Sequence, residues 1–313
     1  MLSLLLLSLK AIFPVFGWIL LGTLLHRNVP VTRGLFSRGE KLIFYVGLPG
    51  LLFATATKID IEQISSSTYT LAGVIATLAC LAVGVLMARW RGHSQGDIGV
   101  ISQASFRANL AIIGLALCAS TFGEEGLVLA AMPVAMWTLL FNILAVVVLN
   151  SAYGGRFALL PVALALLKNP LIIGICLGLL VALSGAVLPP DFYQGSRIYS
   201  QIVIPLSLVF LGGAIELRPA RQSRQAIVLA SLLRLLIAPL IATAICLLMG
   251  LRGPELGVNF LLLSGPVAVA SHIMVAAKGG NARLAANIVV ITTALAPFTI
   301  TFGLFLLKLL NLV

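Results

Sequence analysis

Polar and helix-breaking residues interrupt two strongly apolar stretches of this sequence, and they are the residues best suited to chemistry. The stretches are residues 105–116 and 264–272, and Asn109 and Pro266 lie 157 positions apart within them. Apolar segments interrupted at corresponding places in two halves of a chain are typical of the substrate site of a secondary transporter. The candidate binding residues are Ser105, Asn109, Gly114, Gly265, Pro266, Ser271 and His272.

An interrupted helix inside a membrane has a specific chemical consequence. Its unpaired N–H and C=O groups cost several kcal/mol each, so the interruption must face protein or a water-filled cavity. Two crossing interruptions would direct two half-helix N-termini, each with about half a positive charge, toward one point that favours a carboxylate. Pro266 explains the second interruption. In the first, the candidate breakers are Gly114 and the side chains of Ser105 and Asn109.

Two arginines are candidates for an anion-binding or coupling charge. Arg107 has two interpretations: we expect it to reach the cytoplasmic membrane surface, and contact with an anion is the alternative. Arg234 lies near the middle of an apolar run, where a charge costs about 2.5–3.5 kcal/mol on insertion scales, and the sequence shows no clear partner for it. His272 is either a titrating group or a packing residue.

Acidic residues are missing near both interruptions, which disfavours a sodium or proton site built from carboxylates. The four cysteines stand singly in apolar runs without metal-binding or redox spacing. We therefore predict no metal site, no cofactor and no catalytic residues. The sequence also lacks HExxH, GxSxG and paired-aspartate motifs within its apolar runs, so we do not expect an enzyme.

The composition determines the class of protein. Of 313 residues, 60% are hydrophobic and only 9% are charged, with a mean hydropathy of +1.14, whereas about a quarter of residues are charged in soluble proteins. The net charge of +11 comes from scattered single residues without a basic stripe, which excludes nucleic acid as a partner. We predict an all-α polytopic protein in contact with membrane lipid.

Ten apolar runs are long enough to be considered as membrane spans. The predicted spans are Leu4–Leu25, Lys41–Thr57, Tyr69–Ala88, Ile98–Ser120, Leu127–Leu149, Leu159–Leu183, Ile198–Ile215, Ala226–Met249, Leu256–Ala277 and Leu284–Leu310. Loops after odd-numbered spans hold most of the arginines and lysines, and loops after even-numbered spans hold most of the acids. The positive-inside rule then places the odd loops in the cytoplasm and both termini outside.

An internal repeat accompanies this pattern. Pro49 corresponds to Pro205 at an offset of 156, and Gly123 to Gly280 at the offset of 157 that also relates Asn109 to Pro266. An odd number of spans per copy requires the second copy to be inverted in the membrane. We predict one five-helix repeat over residues 1–153 and an inverted one over residues 154–313.

Several short motifs resemble the auxin efflux carrier family, which includes the plant PIN-FORMED proteins and bacterial malonate and organic-anion permeases. They are Lys41–Pro49, Asn109–Leu117, Phe122–Gly126, Lys168–Ile173, Leu211–Gly213 and the segment around Pro266. The resemblance implies two inverted five-helix repeats whose fourth and ninth helices cross at the substrate, with Asn109 as the substrate-binding asparagine. It also implies that spans 3–5 and 8–10 move against a scaffold of spans 1, 2, 6 and 7. The family usually has Gly-x-Pro where this chain has Gly114-Leu-Ala116, so we expect a softer first kink.

The predicted function is secondary transport of a small organic anion by elevator-type alternating access in the bacterial inner membrane, with efflux favoured. The alternative is a sodium-coupled symporter of the bile-acid-symporter type that imports an organic anion. Protons are a further candidate for the coupling ion. Elevator carriers often dimerise through their scaffold, so a homodimer is a further expectation.

Overall fold

The fold is helical throughout the part of the chain that the structure, a computed structural model, describes: residues 2–28, 32–59, 68–154, 168–186, 188–215 and 224–313. The helices are α1 Leu2–Asn28, α2 Thr32–Leu42, α3 Leu48–Ala56, α4 Thr68–Trp90, α5 Gln95–Phe106, α6 Leu115–Tyr153, α7 Pro170–Leu183, α8 Pro190–Ala214, α9 Arg224–Leu232, α10 Ala238–Leu248, α11 Gly253–Ser264, α12 Ala270–Ala277 and α13 Ala282–Leu309. Short π-helical segments, Ile43–Gly47, Leu110–Gly114 and Leu233–Ile237, join three pairs of them.

Six helical stretches within the described ranges are long and apolar enough to cross a membrane. The most apolar is α4, and α1 and the stretches from residue 110 to 153 and from residue 224 to 248 follow it with equal hydropathy. The first part of predicted span 6, residues 159–167, lies outside the described residues. The prediction of an all-α protein is confirmed for the described residues, and the length and apolar composition of these six stretches suit them to cross a membrane.

Spans 4 and 5 are closer in the structure than their predicted loop suggests. Helix α6 covers the end of span 4 from Leu115 and then span 5, and Gly123, with non-helical φ 61° and ψ −135°, divides it into two helices. A residue with a Cβ rarely adopts such a positive φ, so glycine is required at this bend. The predicted loop is therefore a short turn at Gly123 between two helices.

Glycines allow two pairs of helices to approach backbone to backbone. A Cβ on Gly22 of α1 would overlap the carbonyl of Val209 in α8, and one on Gly212 of α8 would overlap the carbonyl of Ile19. In the same way, Gly174 of α7 packs against the carbonyl of Pro49 in α3. Small residues are the usual means of close helix packing in membranes, where lipid removes the hydrophobic driving force.

We expect Gly212→Ala to destabilise the protein by about 1–3 kcal/mol, because the added methyl group forces α1 and α8 apart. Thermal unfolding of the purified protein measures this. The matched control is Gly195→Ala in the same helix, where a Cβ meets no atom within 4 Å and should be neutral or slightly stabilising. Equal unfolding temperatures for the two variants would contradict the close packing.

Candidate functional site at the paired helix interruptions

The first interruption is a full break of the helix. After α5 ends at Phe106, Arg107 has φ −83° and ψ 81°, and Asn109 has φ −81° and ψ 77°. The N–H of Ala108 donates to the carbonyl of Phe106 at 3.0 Å, and the N–H of Leu110 donates to that of Ala108 at 3.1 Å. These angles and bonds describe two consecutive inverse γ-turns. The expectation of a softer kink is wrong.

Gly114 is not the residue that breaks this helix. It lies in the π-helical segment that follows the break, with helical φ −58° and ψ −52°. A Cβ there would come within 2.8 Å of the Leu262 side chain. Gly114 therefore lets α11 approach, and the prediction that it breaks the helix is corrected.

The second interruption lies where Pro266 predicts it. Helix α11 ends at Ser264, Gly265 adopts φ −56° and ψ 153°, and α12 begins at Ala270. Proline has no N–H to donate, and its ring clashes with the preceding helical turn. The chain is therefore extended for a few residues before it becomes helical again.

The two interruptions pair with one another. Ala108 and Val267 form an isolated antiparallel bridge. The N–H of Asn109 donates to the carbonyl of Pro266 at 2.9 Å, and the N–H of Ala268 donates to that of Arg107 at 3.0 Å. The N–H of Val267 donates to Thr292 Oγ1 at 3.2 Å. Each interruption thus supplies partners for groups that would otherwise be unpaired inside the membrane.

Arg234 completes this pairing from the π-helical segment between α9 and α10. Its side chain is 1% exposed. Its Nε donates to the carbonyl of Gly265 at 2.8 Å and one terminal nitrogen donates to that of Ser105 at 3.2 Å. The other terminal nitrogen donates to the carbonyl of Leu263. These carbonyls lie at the negative C-terminal ends of α5 and α11, so one guanidinium neutralises both.

Arg107 is buried, which corrects the expectation that it reaches the membrane surface. It is 7% exposed. Its terminal nitrogens donate to the carbonyl of Phe141 at 3.1 Å and to Asn142 Oδ1 at 2.8 Å, near the middle of the second part of α6. Its Nε is buried and has no partner among the described residues. Arg107 thus brings a second positive charge to the interruptions.

Ser105 has a structural environment. Its hydroxyl donates to the carbonyls of Cys80 at 2.9 Å and Ser102 at 2.7 Å, and it is buried against Gly84. The bond to Cys80 and the contact with Gly84 hold α5 against α4, whereas the bond to Ser102 lies within α5. Ser105 was a candidate binding residue, but its hydroxyl is used in the packing of these helices.

Three other candidates keep free polar groups. The Asn109 side chain is 7% exposed, and its carboxamide forms no hydrogen bond with any described residue. The Ser271 hydroxyl is buried without a partner in the described ranges. His272 is half-buried, and its Nδ1 donates to the carbonyl of Val269 at 2.8 Å. Its Nε2 takes no part in this hydrogen bond. Asn109, Ser271 and His272 can thus still offer donors or acceptors to a ligand.

A cavity of about 520 Å³ lies between α1, α3, α6 and α8. Its polar lining includes Lys58, Ser120, Arg197 and Gln201, and it reaches α6 at Ala116. Since Ala116 follows Asn109 by seven residues, the cavity ends about 10 Å short of Asn109 along the helix. Near its mouth, Lys58 Nζ and Glu124 Oε1 form an ion pair at 2.5 Å, the one salt bridge within the described part of the chain.

Comparison with known proteins identifies the class. Residues 155–304 match the family model described as "Membrane transport protein". These residues make up just under half of the chain, and over them the chain is similar to this family of membrane transporters. The transporter is 26% identical over 303 residues to an uncharacterized transporter of Methanothermobacter thermautotrophicus, covering 92% of this chain and 95% of that protein. It is also 24% identical over 310 residues to a Rhizobium meliloti protein named "Putative malonate transporter", covering 95% of each.

The sequence missed the partners of the two buried arginines. The groups that bind Arg234 are backbone carbonyls, and those that bind Arg107 include one carbonyl and the amide of Asn142. A search of the sequence for opposite charges cannot find carbonyl partners. One signal was available: an arginine at mid-span requires hydrogen-bond acceptors, and interrupted helices are the main source of free carbonyls in a membrane.

Proposed function

We propose that this transporter carries a small organic anion, bound at the paired interruptions by Asn109 and the adjoining helix start. The observation that carries the proposal is an excess of positive charge: Arg107 and Arg234 are both buried there, and the salt bridge found within the described ranges is elsewhere. A buried charge without a carboxylate nearby favours an anionic ligand.

The two arginines have different roles in this proposal. The charge of Arg234 is largely offset by the carbonyls it binds at the ends of α5 and α11. Arg107 binds one carbonyl and one amide and keeps Nε unpartnered among described residues, so more of its charge is available. The helix that restarts at Leu110 adds N–H groups without intrahelical acceptors. Asn109 is the N-cap of this helix, and its carboxamide donates to the substrate carboxylate.

The proposal includes two inverted five-helix repeats, residues 1–153 and 154–313. Reciprocal packing supports it: α1 of the first repeat lies along α8 of the second, and α3 of the first lies along α7 of the second. These pairs are span 1 with span 7 and span 2 with span 6. Since span 1 is equivalent to span 6 and span 2 to span 7, a two-fold relation between the repeats converts one pair into the other. The antiparallel bridge between the fourth and ninth spans fits the same relation.

The proposal includes an elevator-type movement, and the position of the cavity supports it. The cavity lies between helices assigned to the scaffold, α1, α3 and α8, and helix α6 of the moving part. Asn109 is buried and lies about 10 Å beyond the cavity along its helix, so a substrate reaches it only after one part slides against the other. We place the cavity on the outer side, because Lys58, Glu124 and Arg197 lie between predicted spans at the ends of even-numbered ones.

Energetics favour efflux. Moving one negative charge outward across about 100 mV, inside negative, releases about 2.3 kcal/mol, which sustains a gradient of about fiftyfold. Efflux of an anion therefore needs no coupled ion, whereas uptake does.

The proposal is tested by thermal unfolding and by flux in proteoliposomes with malonate, a monocarboxylate and an indole-type acid, at two pH values and with or without sodium. We expect a carboxylate to raise the unfolding temperature and to cross the membrane without sodium. Stabilisation that requires sodium would instead support the symporter. Stabilisation by neutral analogues as strong as by acids would refute an anion site.

The ion pair between Lys58 and Glu124 gives a test of the movement itself. Lys58 belongs to the scaffold side and Glu124 to the moving side. As a partly exposed pair it contributes little stability and can open in each cycle. We expect a short thiol-specific cross-link in Lys58→Cys/Glu124→Cys to abolish flux, and cleavage of the link to restore it. Exposed Cys176 is first replaced by serine.

The matched control is Lys58→Cys/Ser196→Cys, since Lys58 Nζ and Ser196 Oγ are 3.4 Å apart and both lie on the scaffold side. That cross-link should leave flux intact. Full flux in the cross-linked 58–124 variant would rule out sliding between these two parts.

A further inference from the structure

A basic groove lies at the opposite end of the molecule from the Lys58–Glu124 pair. It has a volume of about 300 Å³ and lies where the C-terminal end of α4 meets the start of α9. Arg91, His93 and Arg224 line it together with Gln225, and none of the described residues that line it is acidic. The proposed function makes no use of this groove.

The other wall of the groove is apolar and faces outward. Val228 and Leu232 form its exposed part along α9, and the buried Leu229 also lines the groove. Val228 is 50% exposed and Leu232 is 48% exposed, although each belongs to a helix that runs on into an apolar stretch long enough to cross the membrane. These side chains therefore face lipid hydrocarbon, directly beneath the arginines.

Aromatic and cationic side chains place the upper part of the groove at the membrane surface. Trp90 is 74% exposed at the end of α4, and the guanidinium of Arg91 lies 5.3 Å from the centre of its ring. Exposed tryptophans at helix ends are typical of the headgroup region. The cation–π contact keeps Arg91 at that level.

We propose that this groove binds the headgroup of an anionic phospholipid. The phosphodiester would accept hydrogen bonds from Arg91 and Arg224, and His93 and Gln225 would bind the remaining headgroup oxygens. One acyl chain would lie along Val228 and Leu232. Basic pockets between membrane helices bind anionic lipid headgroups in this manner, and an arginine pair matches phosphate geometry better than single charges do. The bound lipid would join α4 to α9.

Native mass spectrometry of the full-length protein with phosphatidylglycerol or phosphatidylcholine tests this. We expect a bound phosphatidylglycerol that resists removal and raises the unfolding temperature. Each arginine near an anionic lipid contributes about fivefold to its affinity. The double substitution Arg91→Gln/Arg224→Gln should therefore weaken phosphatidylglycerol binding about thirtyfold. The matched control is Arg27→Gln/Arg38→Gln, which removes the same charge from exposed arginines of other helices and should keep the lipid.

Three results would overturn the proposal: equal affinity for phosphatidylcholine, equal loss of lipid in both double variants, or equal stabilisation by inorganic phosphate or soluble glycerophosphoglycerol. The last would mean that the groove binds a phosphate without the lipid. Because lipid binding is measured without substrate, its failure is distinct from failure of the proposed transport function.

Discussion

Replacing Arg234 by methionine should strongly destabilise this transporter. The guanidinium binds the carbonyls of Ser105, Leu263 and Gly265. The carbonyls of Ser105 and Leu263 have lost their helical donors, because the N–H of Asn109 donates to Pro266 and that of Val267 donates to Thr292. Each buried acceptor left without a partner costs about 1–3 kcal/mol.

The opposing term is the cost of burying the guanidinium, which the methionine removes. The cost of the unpaired carbonyls is larger than this gain, because three acceptors lose their donor together. Water cannot replace the donor at a position where the side chain is 1% exposed. We expect a net destabilisation of about 3 kcal/mol or more. The measurements are unfolding temperature in detergent and yield of monodisperse protein.

Arg234→Lys separates charge from geometry. Lysine keeps the positive charge, but its compact ammonium lacks the planar fork that reaches carbonyls of two helices. An intermediate stability is expected. Arg197→Met is the control, because Arg197 is exposed on α8 and lies away from both interruptions, so its effect should stay within about 0.5 kcal/mol. If Arg234→Met and Arg197→Met unfold at the same temperature, Arg234 does not hold the interruptions together.

Asn109→Ala should abolish most transport without unfolding the protein. Its carboxamide makes no hydrogen bond with the described residues, and its backbone N–H still donates to Pro266 after the substitution. A hydrogen bond to a charged group contributes about 1.5–3 kcal/mol, so carboxylate affinity should fall by a factor of about 10 to 150. Substrate-induced thermal stabilisation and proteoliposome flux measure the two effects.

Two further variants make this result specific. Asn109→Asp keeps the size of the side chain but places a negative charge beside the substrate, and it should abolish binding of anions more completely than alanine. Ser105→Ala is the neighbouring control, because its hydroxyl already binds Cys80 and Ser102, and its carboxylate affinity should equal that of the unsubstituted protein. If Ser105→Ala loses affinity while Asn109→Ala keeps it, the binding site lies on the other side of α5.

The sequence by itself determined the class of this protein and the position of one interruption. The high apolar content requires helices that pair their own backbone groups in lipid. Pro266 lacks a donor whatever surrounds it, so a break near it follows from local chemistry. The polar residues within apolar runs also marked both regions where the helices are interrupted, because polar groups are costly in a membrane unless the fold supplies partners for them.

Only the tertiary structure decided how complete the first interruption is and what its arginines do. No proline lies between Phe106 and Gly114, and the chain breaks there because the segment around Val267 supplies backbone partners from 157 to 161 residues away. The environments of Arg107, Ser105 and Arg234 likewise depend on α6, α4 and α11, which are distant in sequence. Local propensity cannot report such pairings, since each group's cost depends on a partner that only the folded chain brings near.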